Sequence, residues 1–83
     1  MSVSEMPLAE RIARVLAGAA LSSNAEGSDP SAGEKIDLVW REHMNQALAV
    51  LHTMREADAD MARAGDPDVW RKMVEVAIGE HVD

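Results

Sequence analysis

The chain has 83 residues and a formal net charge of −7, with six methionines and two tryptophans but no cysteine, phenylalanine or tyrosine. A chain of this length forms one small domain, and the lack of cysteine excludes disulfides and thiolate metal sites. No segment has the basic face expected of a protein that binds a phosphate backbone. The alanine and methionine content favours helix, so we expect an all-α fold.

The first helix is predicted over about residues 5–21. Pro7 suits its first turn, where the missing N–H would have no partner, and Glu10 and Arg14 form an i,i+4 pair. A small polar segment over residues 22–33 is predicted to be a linker. It is longer than the usual helix–helix connection of about 2–8 residues, so the first helix could reach either side of the next one.

A long central helix is predicted over about residues 34–58. At 100° per residue its apolar side chains fall within an arc of about 140°. They are Ile36, Val39, Trp40, Met44, Ala47, Val50, Leu51, Met54 and Ala57. His43 is polar and lies near the middle of this stripe. We expect the other helices to pack against the stripe.

A short helical turn is predicted over residues 60–64 and a last helix over residues 67–81. Gly65 is typical of a helix end, and Asp66 followed by Pro67 is typical of a helix start. The residues predicted to face inward from the last helix are Val69, Trp70, Met73, Val76 and Ala77.

These elements predict a three-helix bundle with a long central helix, in which the last helix packs antiparallel on the central one. Trp40 and Trp70 are expected in one core. Because the stripe is wider than two shorter helices would cover, we predict a homo-oligomer, most simply a symmetric dimer, with the stripe in its seam. The alternative is a compact monomer in which the outer helices cover the stripe. The predicted interface residues are Trp40, His43, Ala47, Val50, Leu51 and Met54.

No catalytic, cofactor-binding or metal site is predicted, and we expect no enzyme. His43, His52 and His81 show neither HExxH nor His-x-x-x-His spacing. The Glu-His neighbours at 42–43 and 80–81 point about 100° apart on a helix and cannot chelate one ion from one face. For His43 we favour a packed ring, with a proton sensor between chains as the alternative.

The predicted function is a small acidic helical module for protein–protein interaction or self-association. The alternative is a regulatory nucleic-acid-associated protein with a degenerate helix-turn-helix at residues 60–81. Against it, the helix that would enter the DNA groove begins with Asp66 and Asp68. We expect neither a nucleic-acid partner nor a membrane partner, because the chain lacks a basic face and an apolar run of about 18–20 residues. The N-terminus lacks the basic segment of a signal peptide, so we expect a cytoplasmic protein.

Five short motifs are shared with a known group of sequences. They are Glu10-Arg-Ile-Ala-Arg14, Trp40, Ala47-Leu-x-x-Leu-x-x-Met-Arg55, Met61-Ala-x-Ala-Gly65 and Trp70-Arg-x-Met73. The chain resembles small uncharacterised helical proteins of alphaproteobacteria and their phages. Ala57-Asp58 stands where that group commonly has Pro-Thr, which predicts a softer break after Glu56. The resemblance implies a helical fold and no particular chemistry.

Overall fold

The structure, a computed structural model, describes residues 3–24 and 32–79. Every regular element within these ranges is helical, so the predicted all-α class is confirmed for the described residues. The elements are α1 (Leu8–Asn24), α2 (Ala32–Val39), a 3-10 segment (Trp40–His43), α3 (Met44–Met54), α4 (Ala59–Ala64) and α5 (Pro67–Gly79). Most of the predicted linker, at residues 25–31, and His81 lie outside the described residues. No helix in the described ranges is long and apolar enough to cross a membrane.

Helix α1 starts at Leu8, three residues after the predicted start, and also ends later than predicted. Its first turn is closed by the amide of Arg11, which donates to the carbonyl of Pro7 at 3.1 Å. It continues to Asn24, three residues beyond the predicted end, and Gly18 lies within it. A Cβ at Gly18 would lie 3.3 Å from Cδ1 of Ile36. The glycine therefore lets α2 approach α1 closely instead of ending the helix.

The predicted continuous helix over 34–58 is replaced by α2, the 3-10 segment and α3. Val39, with φ −118° and ψ −5°, ends α2, and His43, with φ −98° and ψ 5°, precedes α3. A 3-10 turn advances about 120° per residue instead of about 100°, so its four residues rotate the apolar face of α3 by about 80° relative to that of α2. Trp40 is the first residue of the 3-10 segment and is buried against α1. The central helix is therefore interrupted at the residue that packs on α1.

Helices α1 and α5 both pack on the central stretch, as its apolar stripe predicts, and α1 makes the more extensive contact. It contacts α2, the 3-10 segment, α3 and α5. Ala9, Ala13 and Ala17 recur every fourth residue on its inner face and are completely buried. Side chains this small allow helix backbones to approach closely from several directions, so α1 serves as a shared contact surface.

The two tryptophans lie in different core clusters, which corrects the prediction of one shared core. Trp40 packs with alanines of α1 and α3, whereas Trp70 packs beside Leu51 and the inner residues of α5. Ile12 and Met44 contact both clusters. The separation follows from the length of the intervening chain. Helix α5 packs on α3 near the C-terminal end of α3, which is Met54. Trp40 lies 14 residues before Met54, which corresponds to about 20 Å of helix.

Helices α4 and α5 are each started by an aspartate. The carboxylate of Asp58 accepts from the amide of Met61 at 2.9 Å, and that of Asp66 accepts from the amide of Asp68 at 2.9 Å. Such caps satisfy amides that have no partner within the helix. Helix α4 has no buried residue. It is therefore held by its own hydrogen bonds and its connection to α5, with little packing.

Candidate interaction surface

Three of the six predicted interface residues are buried within the single chain. Trp40 is 8% exposed, and Ala47 and Leu51 are 0% exposed. Helices α1 and α5 both pack on this side of the central stretch. The predicted dimer seam around Leu51 therefore lacks the open apolar surface that it needs, because elements of the same chain already cover it.

The other three predicted interface residues do not form one open face either. His43 is half-buried, and its Nδ1 lies 2.9 Å from Oε1 of Gln46, which gives the ring a polar partner in the first turn of α3. Met54 is half-buried and packs against the cluster of Leu51. Only Val50 is exposed. The structure places these residues in the core or at its margin.

The exposed apolar surface lies instead on α5. Val69, Met73 and Val76 are 50%, 63% and 62% exposed, although the sequence pattern predicted all three to face inward. They are spaced i, i+4 and i+7 and so share one face of the helix, here called the α5 face. The residues of α5 that contact the core are instead Trp70, Val74, Ala77 and Ile78.

The reason is the width of the apolar arc on α5. Placed at 100° per residue, its apolar side chains occupy more than half of the helix circumference, from Val76 through Met73 to Ile78. Helix α3 covers only one edge of this arc, because a helix contacts a neighbour along a single stripe. The α5 face is the uncovered remainder.

A groove runs between α4 and α5, with a volume of about 410 Å³. We call it the α4–α5 groove. Its lining includes Ala57, Met61, Ala64, Val69, Trp70 and Met73. Met61 is itself 40% exposed and forms the α4 side. The groove is thus an apolar cleft with a flexible methionine on each wall.

A second groove, of about 340 Å³, lies on the other side of α5 against the N-terminal segment. Val3 and Met6 line it from that segment, and Val76 lines it from α5. Trp70 and Met73 line both grooves. The two grooves and the α5 face are therefore parts of one apolar surface that is centred on Met73.

The charges around this surface are mainly acidic. Residues 57–79 carry five acids and three bases, which gives a net charge of −2. Arg63 is paired with Asp60, and Glu75 lies 3.7 Å from the guanidinium of Arg55. Asp66 lines the α4–α5 groove directly. A charged segment approaching the groove therefore meets carboxylates near its entrance.

A second cluster of charged and aromatic groups lies far from this surface, around Trp40. The guanidinium carbons of Arg14 and Arg41 lie 5.1 and 4.6 Å from the centroid of its ring. Arg14 also donates to Asp37 at 2.6 Å and to Glu10 at 2.9 Å. These hydrogen bonds to Asp37 and Glu10 favour the charged form and raise the pKa of Arg14 above its ordinary value. These contacts tie α1 to α2 and to the 3-10 segment.

Within the described ranges, no three His, Asp or Glu side chains come together in an arrangement that could hold a metal ion. His43 and His52 lie within these ranges, and His81 lies outside them. Of the features in the described structure, the apolar surface centred on Met73 therefore gives the clearest indication of function.

No protein-family model, curated protein or solved structure shows significant similarity to this chain. The resemblance to small proteins of alphaproteobacteria and their phages stays a prediction.

Proposed function

We propose that this chain is a small protein–protein interaction module without catalytic activity, and that it binds a helical segment of another protein on the apolar surface centred on Met73. The observation that carries the proposal is the exposure of Val69, Met73 and Val76 on one face of α5, between two grooves. Singly exposed apolar residues are ordinary on a monomer, whereas a contiguous apolar surface beside a cleft is typical of an interaction site.

The energetics of the chain support this proposal. Among the residues whose burial the structure describes, Leu51 is the largest that is fully buried, and the other fully buried ones are alanines. Burial of apolar area contributes about 25 cal/mol per Å², so a core of this composition leaves much of the available stabilisation unused. A partner that covered Met73 and its neighbours would add burial that the chain does not achieve alone.

Self-association would have to use the same surface, because the central stripe is covered by α1 and α5. We favour a different protein over a second copy. Each chain carries a net charge of −7, so two copies repel each other, whereas a partner of opposite charge is attracted.

A degenerate helix-turn-helix over residues 60–81 has weaker support. Helices α4 and α5 follow each other with a short turn, but the first turn of α5 carries Asp66 and Asp68. In a DNA-binding helix-turn-helix the first residues of the second helix contact base edges. Carboxylates at those positions repel the phosphates on either side.

Site-specific photo-cross-linking in cells that make the protein tests the proposal. A photoreactive residue replaces Met73 in one variant and Leu38 in the other. Leu38 is a matched control because it is 81% exposed and apolar but lies on α2. We expect a discrete cross-linked protein from position 73 and none from position 38. The purified partner should bind the wild-type chain and not the Met73→Glu variant.

Two results would contradict the proposed function. One is the absence of any discrete product from position 73. The other is the same product from positions 73 and 38, since that would indicate contact without use of the α5 face.

A further inference from the structure

The dimensions of the apolar surface suit a helix. Helix α5 has 13 residues and is therefore about 20 Å long, and its exposed apolar residues follow helical spacing. A partner helix with apolar residues at i, i+3 or i+4, and i+7 can pack along such a row. An extended peptide needs an open sheet edge for its backbone hydrogen bonds, and the described elements are all helical.

The walls of the α4–α5 groove are adaptable. Met61 stands on α4 and Met73 on α5, and both are exposed. Methionine is unbranched and polarizable, so it can adjust to apolar side chains of different shapes. The groove therefore requires an apolar stripe on the partner but accepts different apolar residues at each position of that stripe.

The charged residues around the α4–α5 groove indicate which residues should flank the apolar stripe of the partner. Asp58 and Asp66 stand at the starts of α4 and α5, Asp66 lines the groove, and the charge of Arg63 is offset by Asp60. Arg71 does not offset these acids at the groove, because it lies about 170° around α5 from the centre of the α5 face. Lys72 lies about 70° from that centre, beside Val76, and is not among the residues that line the groove. The margin of the groove on the α4 side is acidic.

We infer that the occupant of the α4–α5 groove is an amphipathic helix whose apolar stripe is flanked by lysine and arginine. This inference rests on the proposed function and adds the chemistry of the partner. A second copy of this chain does not meet the requirement, because its own α4 and α5 would bring the same carboxylates to the margin. Opposite charges flanking an apolar contact increase the association rate and select among apolar partners.

Two synthetic helices test the inference against the full-length protein. Both are about 14 residues long, to match α5, and carry the same leucine stripe. One has lysine flanks and the other has glutamate flanks. Binding is followed by NMR at the two indole N–H signals of the chain, because Trp70 lines the groove and Trp40 lies in the other core cluster. The Trp40 signal serves as the internal control.

We expect the lysine peptide to shift the Trp70 signal and leave the Trp40 signal unchanged. It should bind at least about ten-fold more tightly than the glutamate peptide at low salt, with a smaller difference at about 0.5 M salt. Met73→Glu should abolish binding, whereas Leu38→Glu should not. The double variant Asp58→Asn, Asp66→Asn should reduce the preference to less than about three-fold, since asparagine retains both helix caps without the charge.

Equal binding of both peptides, or tighter binding of the glutamate peptide, would overturn the inference. A Trp70 signal that shifts with protein concentration alone, together with a doubled mass, would show that a second copy is the occupant. If neither peptide binds while the cross-link from position 73 is still formed, the inference of a basic amphipathic helix is wrong, whereas the proposed function as a protein–protein interaction module is retained. Loss of that cross-link would instead remove the proposed function itself.

Discussion

Helices α1 and α5 are both amphipathic, but the chain uses their apolar faces differently. Helix α1 buries Ala9, Ala13 and Ala17 completely, because several other elements pack against it. Helix α5 buries Val74 and Ala77 and leaves Val69, Met73 and Val76 exposed. The comparison shows that amphipathicity identifies which side of a helix is apolar. It does not show whether the same chain covers that side.

The largest expected effect distinguishes the two core clusters. Trp40→Ala should cost about 3–5 kcal/mol, because Trp40 is 8% exposed and packs between alanines of α1 and α3. Trp70→Ala should cost about 1–3 kcal/mol, since Trp70 is only half-buried. Urea denaturation followed by circular dichroism measures both losses. Equal losses would contradict the distinction between a sealed cluster at α1 and an open one at α5.

The close packing of α1 predicts that it cannot accept a larger side chain. Ala13→Leu should destabilise the protein by about 1–3 kcal/mol, because Ala13 is fully buried and the added atoms have no space. Ala49→Leu is the matched control on α3, where Ala49 is exposed, and it should change stability by less than about 0.5 kcal/mol. The shift in urea midpoint at constant slope gives both values. A neutral Ala13→Leu would show that α1 is packed loosely.

The cap of α4 predicts a local effect rather than a global one. Asp58→Ala removes the acceptor for the amide of Met61 and should cost about 0.5–2 kcal/mol of α4 stability. Because α4 has no buried residue, this loss should appear as faster amide hydrogen exchange in α4, with α1 unchanged. Asp58→Asn is the control, since asparagine caps a helix equally well. Faster exchange throughout the chain would indicate that α4 is coupled to the core.

The smallest expected effect on stability is at the centre of the apolar surface. Met73→Glu should change the free energy of unfolding by less than about 0.5 kcal/mol, because Met73 is 63% exposed. Its neighbour Val74 is 3% exposed, and Val74→Ala should cost about 2 kcal/mol. Thermal unfolding of the two variants compares them directly. Marked destabilisation by Met73→Glu would show that Met73 contributes to the core of the isolated chain.

The sequence predicts helix starts well, because hydrogen bonds between neighbouring residues determine them. Pro7 precedes the first residue of α1, and Asp66 followed by Pro67 begins α5. These features depend on residues within one turn of each other, so the sequence alone carries them. The opposite holds for Gly18, which makes room for Ile36 of α2, a contact that depends on a residue distant in the sequence.

The sequence by itself determined that this protein is helical, where its last two helices begin, and which residues of α5 are apolar. Only the tertiary structure decided that a 3-10 turn at Trp40 divides the central stretch. It also decided that Leu51 is covered by the same chain and that Met73 is not. The physical reason is that helix formation depends on neighbours within four residues, whereas burial depends on which distant elements come into contact. A periodic pattern shows that a helix has an apolar stripe. The packing of the helices against one another determines which apolar stripe stays exposed and can bind a partner.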